Sequence, residues 1–102
     1  MRALYRWRVK PGDEETFTRA WAQATKTIRS KVKGARGSML LRSLRDPAEY
    51  IATARWDSLQ DWQAFTQSDP ADPEAFRVMS AASQMLSADV FDEVDDLLDY
   101  GK

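Results

Sequence analysis

The run "YIATARWDSLQDWQAF", residues 50–65, decides how the whole chain is read. It begins with a period of two, which puts Tyr50, Ala52, Ala54 and Trp56 on one face of a strand. After Trp56 the period lengthens. Asp57 or Ser58 caps a helix on which Leu59, Trp62 and Phe65 recur at helical spacing. Small residues flanked by large aromatics on one strand face leave a gap that something must fill. The question is whether Trp56 plugs a core or walls a pocket.

Upstream, "SMLLRSL", residues 38–44, reads as a strand joined to this one by the turn "RDPAE" with Pro47. The short connection makes the pair an antiparallel hairpin. "ALYRWRV", residues 3–9, alternates as well: Tyr5, Trp7 and Val9 point one way, Leu4, Arg6 and Arg8 the other. "KPGD" turns the chain, Asp13 is an N-cap, and Glu14 and Glu15 favour the positive end of a helix. Along that helix Phe17, Trp21, Ala24, Ile28 and Val32 form one apolar stripe. Gly34 and Gly37 close it, one of them as a left-handed C-cap.

Downstream, "QSDPADP", residues 67–73, breaks the second helix, and Asp72 followed by Pro73 starts a third. Phe76, Met79, Ala82 and Ser83 line the inner side of that helix. "MLSADVFDEV", residues 85–94, alternates once more and is predicted as a fourth strand. The acidic tail, about 95–102, is read as lacking fixed structure unless a partner holds it. No repeat or low-complexity tract interrupts the chain.

The order strand, helix, strand, strand, helix pair, strand predicts an α+β, ferredoxin-like split βαβ plan in one domain over residues 1–102. A four-stranded antiparallel sheet carries its helices on one face. The other face would be an uncovered apolar surface, so a homodimer packing sheet on sheet is expected. The fourth strand lies beside the first in this plan. Ion pairs across strands or subunits are therefore expected among Arg6, Arg8, Asp89 and Glu93, with Arg55 as a further partner.

Composition narrows the chemistry. The chain has 102 residues, 43% hydrophobic and 30% charged, which suits one globular domain. It contains no Cys, His or Asn. Thiolate chemistry, the commonest general base and the commonest metal ligand are absent together. Residues 1–57 hold 13 Lys/Arg against 6 Asp/Glu, and residues 58–102 hold 2 against 10. The basic run "KTIRSKVKGAR" falls where a helix should end, so dipole complementation explains it better than nucleic-acid binding. No stretch is long and apolar enough for a signal peptide or membrane span, which makes the cytoplasm the expected location. Neither nucleic acid nor membrane is an expected partner.

Tyr5, Trp7, Tyr50 and Trp56 should face the helices, where Trp21, Phe17, Trp62, Phe65, Phe76 and Met79 approach them. The same lining serves a mostly apolar pocket or a packed core, with Met79, Met85 or the helix aromatics as the filler.

The segments "YRWRVKPGDEETFTRAW" and "PAEYIATARWDSLQDWQAF" together resemble the antibiotic biosynthesis monooxygenase domain family. The likeness runs over nearly the whole chain in order and spacing. Its most specific element is Trp56-Asp57-Ser58. What the resemblance implies is a dimeric α+β barrel whose final strand reaches toward the partner. It also implies oxidation of a phenolic or quinol-like aromatic by O2, without metal or flavin cofactor.

By the same likeness Trp56 and Tyr5 match positions that shape the site and are the candidate catalytic residues. Trp7, Trp21, Tyr50, Trp62, Phe65, Phe76 and Met79 are the candidate substrate-binding residues. A haem-degrading branch of the family uses an Asn, a Trp and a His; here only Trp56 is present, which argues against that route. Two readings stay open: a cofactor-independent monooxygenase, or a non-catalytic dimeric domain that binds a small aromatic or is purely structural.

Overall fold

The protein is described by a computed structural model covering residues 1–99 and 101. The last part of the expected tail, residues 100 and 102, lies outside the described residues. Four strands and three helices follow one another as β1 (Arg2–Val9), α1 (Glu14–Lys31), β2 (Ala35–Arg42), β3 (Glu49–Trp56), α2 (Leu59–Gln67), α3 (Pro73–Ala82) and β4 (Ser83–Phe91). The strands form one antiparallel sheet in the order β2-β3-β1-β4. This is the ferredoxin-like plan the sequence predicts.

The register of the two central strands sets the shape of the interior. Trp7 pairs with Tyr50, Tyr5 with Ala52 and Ala3 with Ala54. Two of these three rows therefore put an alanine of β3 beside β1. The helices cover this face. Phe17, Ala20 and Ala24 of α1 and Ala75, Met79 and Ala82 of α3 are buried against it.

Buried side chains form two clusters. One centres on Trp7, Val9, Phe17, Tyr50 and Met79; the other joins Ala3, Ala35, Ala54 and Trp56. Tyr5 packs against both. The opposite sheet face is a different surface, with Met39, Leu41 and Phe91 all exposed.

Several local signals act as expected. Ser58 is the N-cap of α2, its Oγ accepting the backbone N–H of Asp61 at 3.1 Å. Asp72 caps α3 through the N–H of Ala75 at 3.1 Å, with Pro73 in the first turn. Asp13 holds the cap position of α1, but its carboxylate makes no capping hydrogen bond. The acidic residues Glu14 and Glu15 are left to complement the dipole there.

Four expectations need correction. Neither glycine is the C-cap of α1. The helix leaves through Val32 in extended conformation, its N–H donating to Ile28. Gly34 comes two residues later at φ +83°, with its carbonyl accepting the N–H of Asp57. A Cβ on Gly34 would stand 2.3 Å from a carboxylate oxygen of Asp61, so this turn needs glycine for both conformation and space.

Strand β2 begins at Ala35, three residues earlier than residues 38–44 suggest, and ends at Arg42. A bulge at Gly37 (φ +94°) lets Ala35 pair with Trp56 before Ser38 pairs with Ala54. Strand β4 likewise starts at Ser83, because α3 runs straight into it. Ser83 Oγ–H donates to the Met79 carbonyl at 2.7 Å while its backbone already pairs with Val9.

The ion pairs also differ from those expected. Within the chain Arg8 reaches Asp46 at 2.7 Å, and Arg2 holds Glu93 at 2.6 Å and Asp96 at 3.7 Å. Arg36 grips Asp57 through two hydrogen bonds of 2.8 and 2.9 Å. Within one chain none of Arg6, Arg8, Arg55, Asp89 and Glu93 pairs with another of that set, so the correction concerns the cross-strand pairs. A turn carboxylate and a tail carboxylate reach β1 more readily than the neighbouring strand does. The tail beyond Phe91 forms neither helix nor strand among the described residues, and Arg2 ties Glu93 and Asp96 to β1.

Candidate active site

Between the two buried clusters the interior does not close. An apolar cavity of about 120 Å³, open to solvent on one side, lies over Ala52 and Ala54. This volume approaches the roughly 150 Å³ at which an apolar cavity takes up benzene. One aromatic ring can be engulfed while the rest of a larger ligand lies in the mouth.

The sheet supplies Tyr5 and Trp7 from β1 and Ala52, Ala54 and Trp56 from β3. Helices supply Trp21 and Ala24 from α1, Phe65 from α2, and Phe76 and Met79 from α3. Met79 and Met85 line the space without filling it. Trp56 is almost wholly buried, its ring 5.2 Å from that of Phe65 at 36°. It is a wall with Phe65 behind it.

Two residues expected at the site stand elsewhere. Tyr50 is outside the lining. Its ring packs 5.5 Å from Phe17, which in turn meets Trp7 edge-on at 5.3 Å. This row of rings builds the core beside the cleft. Trp62 is also outside the lining and reaches it through one bond: its indole Nε1–H donates to the Tyr5 hydroxyl at 2.9 Å.

Tyr5 is the polar group on the inner wall. Its ring stacks on Trp7 at 5.9 Å, and its oxygen accepts from Trp62. Among the described residues its own O–H has no acceptor, so that proton is available to a ligand. Burial pushes the phenol above its ordinary value of 10.0, and the indole N–H offsets part of the rise. Tyr5 is thus a neutral donor at physiological pH. Donation by Trp62 polarises its hydroxyl and strengthens it as a donor.

Beside Ile28 of the α1 stripe and Met85 of β4, the lining carries polar and small groups that sequence periodicity did not single out: Thr25 and Arg29 of α1, and Gly37 and Ser38 of β2. Ser38 is occupied, donating to the Thr53 carbonyl at 3.0 Å. The lining contains no Asp or Glu. Among the described residues no group of carboxylates is placed to hold a metal ion.

The sequence matches the family described as antibiotic biosynthesis monooxygenase over residues 1–82. The chain belongs to that family. Solved structures repeat the fold. SnoaB, a cofactor-independent oxygenase from Streptomyces nogalater, superposes with a TM-score of 0.80 at 17% identity over 96% of each chain. A Bordetella bronchiseptica protein provisionally given the family designation has a TM-score of 0.70 at 19% identity, covering 88% of this chain and 94% of its own. A Deinococcus radiodurans protein of the same provisional designation has 0.69 at 12% identity, covering 97% of this chain and 100% of its own. Among curated proteins none matches the chain significantly. At these identities the antibiotic biosynthesis monooxygenase neighbours show the common fold, and this chain's chemistry has to be argued from its own cleft. Among the described residues no helix is long and apolar enough to cross a membrane.

Proposed function

We propose that this family member is a cofactor-independent monooxygenase that oxidises a phenolic or quinol-type aromatic with O2 in the cleft between sheet and helices. The observation that carries the reading is an apolar cleft of ring dimensions lined by a half-buried phenol, Tyr5, whose O–H has no acceptor among the described residues. Such a substrate supplies all the electrons itself. An aromatic C–H of the phenol, a CH2 in its keto tautomer, becomes C=O, and the second oxygen atom leaves as water. The protein must hold the ring, stabilise the oxyanion that forms on deprotonation, and keep bulk water off the intermediate.

Tyr5 is the group that donates to the oxyanion, supported from behind by Trp62. Trp56 and Phe65 form one wall and Trp7, Trp21, Phe76 and Met79 the rest. The lining has no carboxylate and the chain no His, so the proton leaves to water at the mouth. Substrates that are themselves acidic are favoured. A second copy covering the outer sheet face, where Met39, Leu41 and Phe91 stand exposed, completes the proposal as a homodimer.

The missing base supports a second reading, a dimeric domain that binds an aromatic without converting it. Oxygen consumption with dihydroxynaphthalenes, anthrone and menadiol separates the two. Protein-dependent uptake that Trp56→Ala removes supports the oxygenase. Quenching of tryptophan fluorescence by the same compounds with no uptake would establish the binding domain instead.

A further inference from the structure

We propose that Arg29 is the specificity determinant of the cleft and that the ligand is an aromatic acid, its carboxylate or equivalent anion held at the mouth while a ring occupies the interior. This rests on the cleft being a ligand site. Arg29 lies in the lining near the C-terminal end of α1, across the rim from the bulge of β2.

Its side chain is folded over that bulge. A Cβ on Gly37 would stand 3.5 Å from Arg29 Cδ and 4.0 Å from Nη1, so the guanidinium lies against the rim.

Arg29 has no carboxylate partner among the described residues, although ion pairs engage Arg2, Arg8, Arg19, Arg36 and Arg77. Arg55 is the other arginine in the lining. Strand alternation places its side chain on the outer face, opposite Ala54 and Trp56. An otherwise uncharged cleft thus has one unpaired cation positioned to receive an anion. A guanidinium suits a planar carboxylate, which it can bind through two parallel N–H···O bonds.

The test compares 6-hydroxy-2-naphthoate with its methyl ester, which keeps the ring and loses the charge. Binding is read by tryptophan quenching and by calorimetry at neutral pH. The wild type should hold the acid at least about 10-fold more tightly than the ester, as expected for a hydrogen bond between charged groups. Arg29→Gln should abolish that preference by weakening the acid far more than the ester; Arg29→Lys should keep part of it. High salt should narrow the gap.

Equal affinity for acid and ester in the wild type would overturn the assignment while leaving the pocket intact. So would a preference that survives in Arg29→Gln. If neither compound binds, the cleft is not a ligand site and the assignment falls with it.

Discussion

The hydroxyl of Tyr5 accepts the indole N–H of Trp62 at 2.9 Å, joining the first strand to the second helix across 57 residues of sequence. Tyr5→Phe leaves that N–H without its partner at a half-buried site. We expect a loss of about 1–2 kcal/mol in denaturant unfolding. Trp62→Phe should cost a similar amount. The double variant should cost less than the two single changes together, because each removes the same bond. Additive losses would show that the bond contributes nothing. If Tyr5 also donates to substrate, Tyr5→Phe should lower kcat by about 10-fold or more with a smaller change in KM.

Ala52 and Ala54 keep the cleft open, so filling it should separate folding from binding. Ala52→Leu places a branched side chain in the cavity beside Tyr5. Ligand binding should be lost while the thermal midpoint moves by only a few degrees, the added apolar contact offsetting part of any strain. Trp56→Ala should act the other way. Removing a buried indole is expected to destabilise the fold by about 3–5 kcal/mol and to abolish ring stacking. A ligand that binds Ala52→Leu normally is not in this cleft.

The pH dependence of stability has two arms of known sign. The Arg36 guanidinium bonds Asp57 and holds its carboxyl below the ordinary carboxylate range. That contribution is present above the unfolded-state value near pH 3.8 and is lost as pH falls through the lower folded value. Burial raises Tyr5, so its contribution is present below pH 10 and is lost as pH climbs toward the folded value. Arg36→Met should flatten the acid arm of a thermal-midpoint profile, and Tyr5→Phe the alkaline arm. In an absorbance titration of the folded protein, Tyr5→Phe should remove a late-titrating phenolate.

Gly34 couples the turn after α1 to α2 by contact with Asp61. Gly34→Ala meets both a left-handed backbone and a carboxylate in the way, and should destabilise by more than the ~1–2 kcal/mol of the backbone term alone. Adding Asp61→Ala removes the obstacle and should recover the excess, leaving the backbone cost. No recovery would mean that Asp61 already moves aside freely.

The exposed Leu41 and Phe91 belong to the sheet face assigned to a second copy. Light scattering at micromolar concentration should report a dimer for the wild type and a monomer for Leu41→Glu/Phe91→Glu. A wild-type monomer would remove the homodimer from the proposal.

The fold was legible because it is written in period. The alternation of residues 3–9 and 50–56, the stripe on α1, and the cap signals at Ser58 and at Asp72-Pro73 are local patterns that set each element before tertiary contacts form. Boundaries were less legible where glycine had two uses. Gly34 and Gly37 read as helix stops, yet one lies under Asp61 and the other carries a bulge, roles that exist only once distant segments meet.

The aromatic set of the site could likewise be named from spacing. Which rings surround a void could not, since that depends on Ala52 pairing with Tyr5 and Ala54 with Ala3. Tertiary structure alone decided that Tyr50 belongs to the core row with Phe17, that Trp62 acts through Tyr5, and that Arg29 stands unpaired on the rim. Sequence periodicity specifies the direction of a side chain from its own element. The empty volume between elements follows from strand register and helix placement, which no local pattern contains.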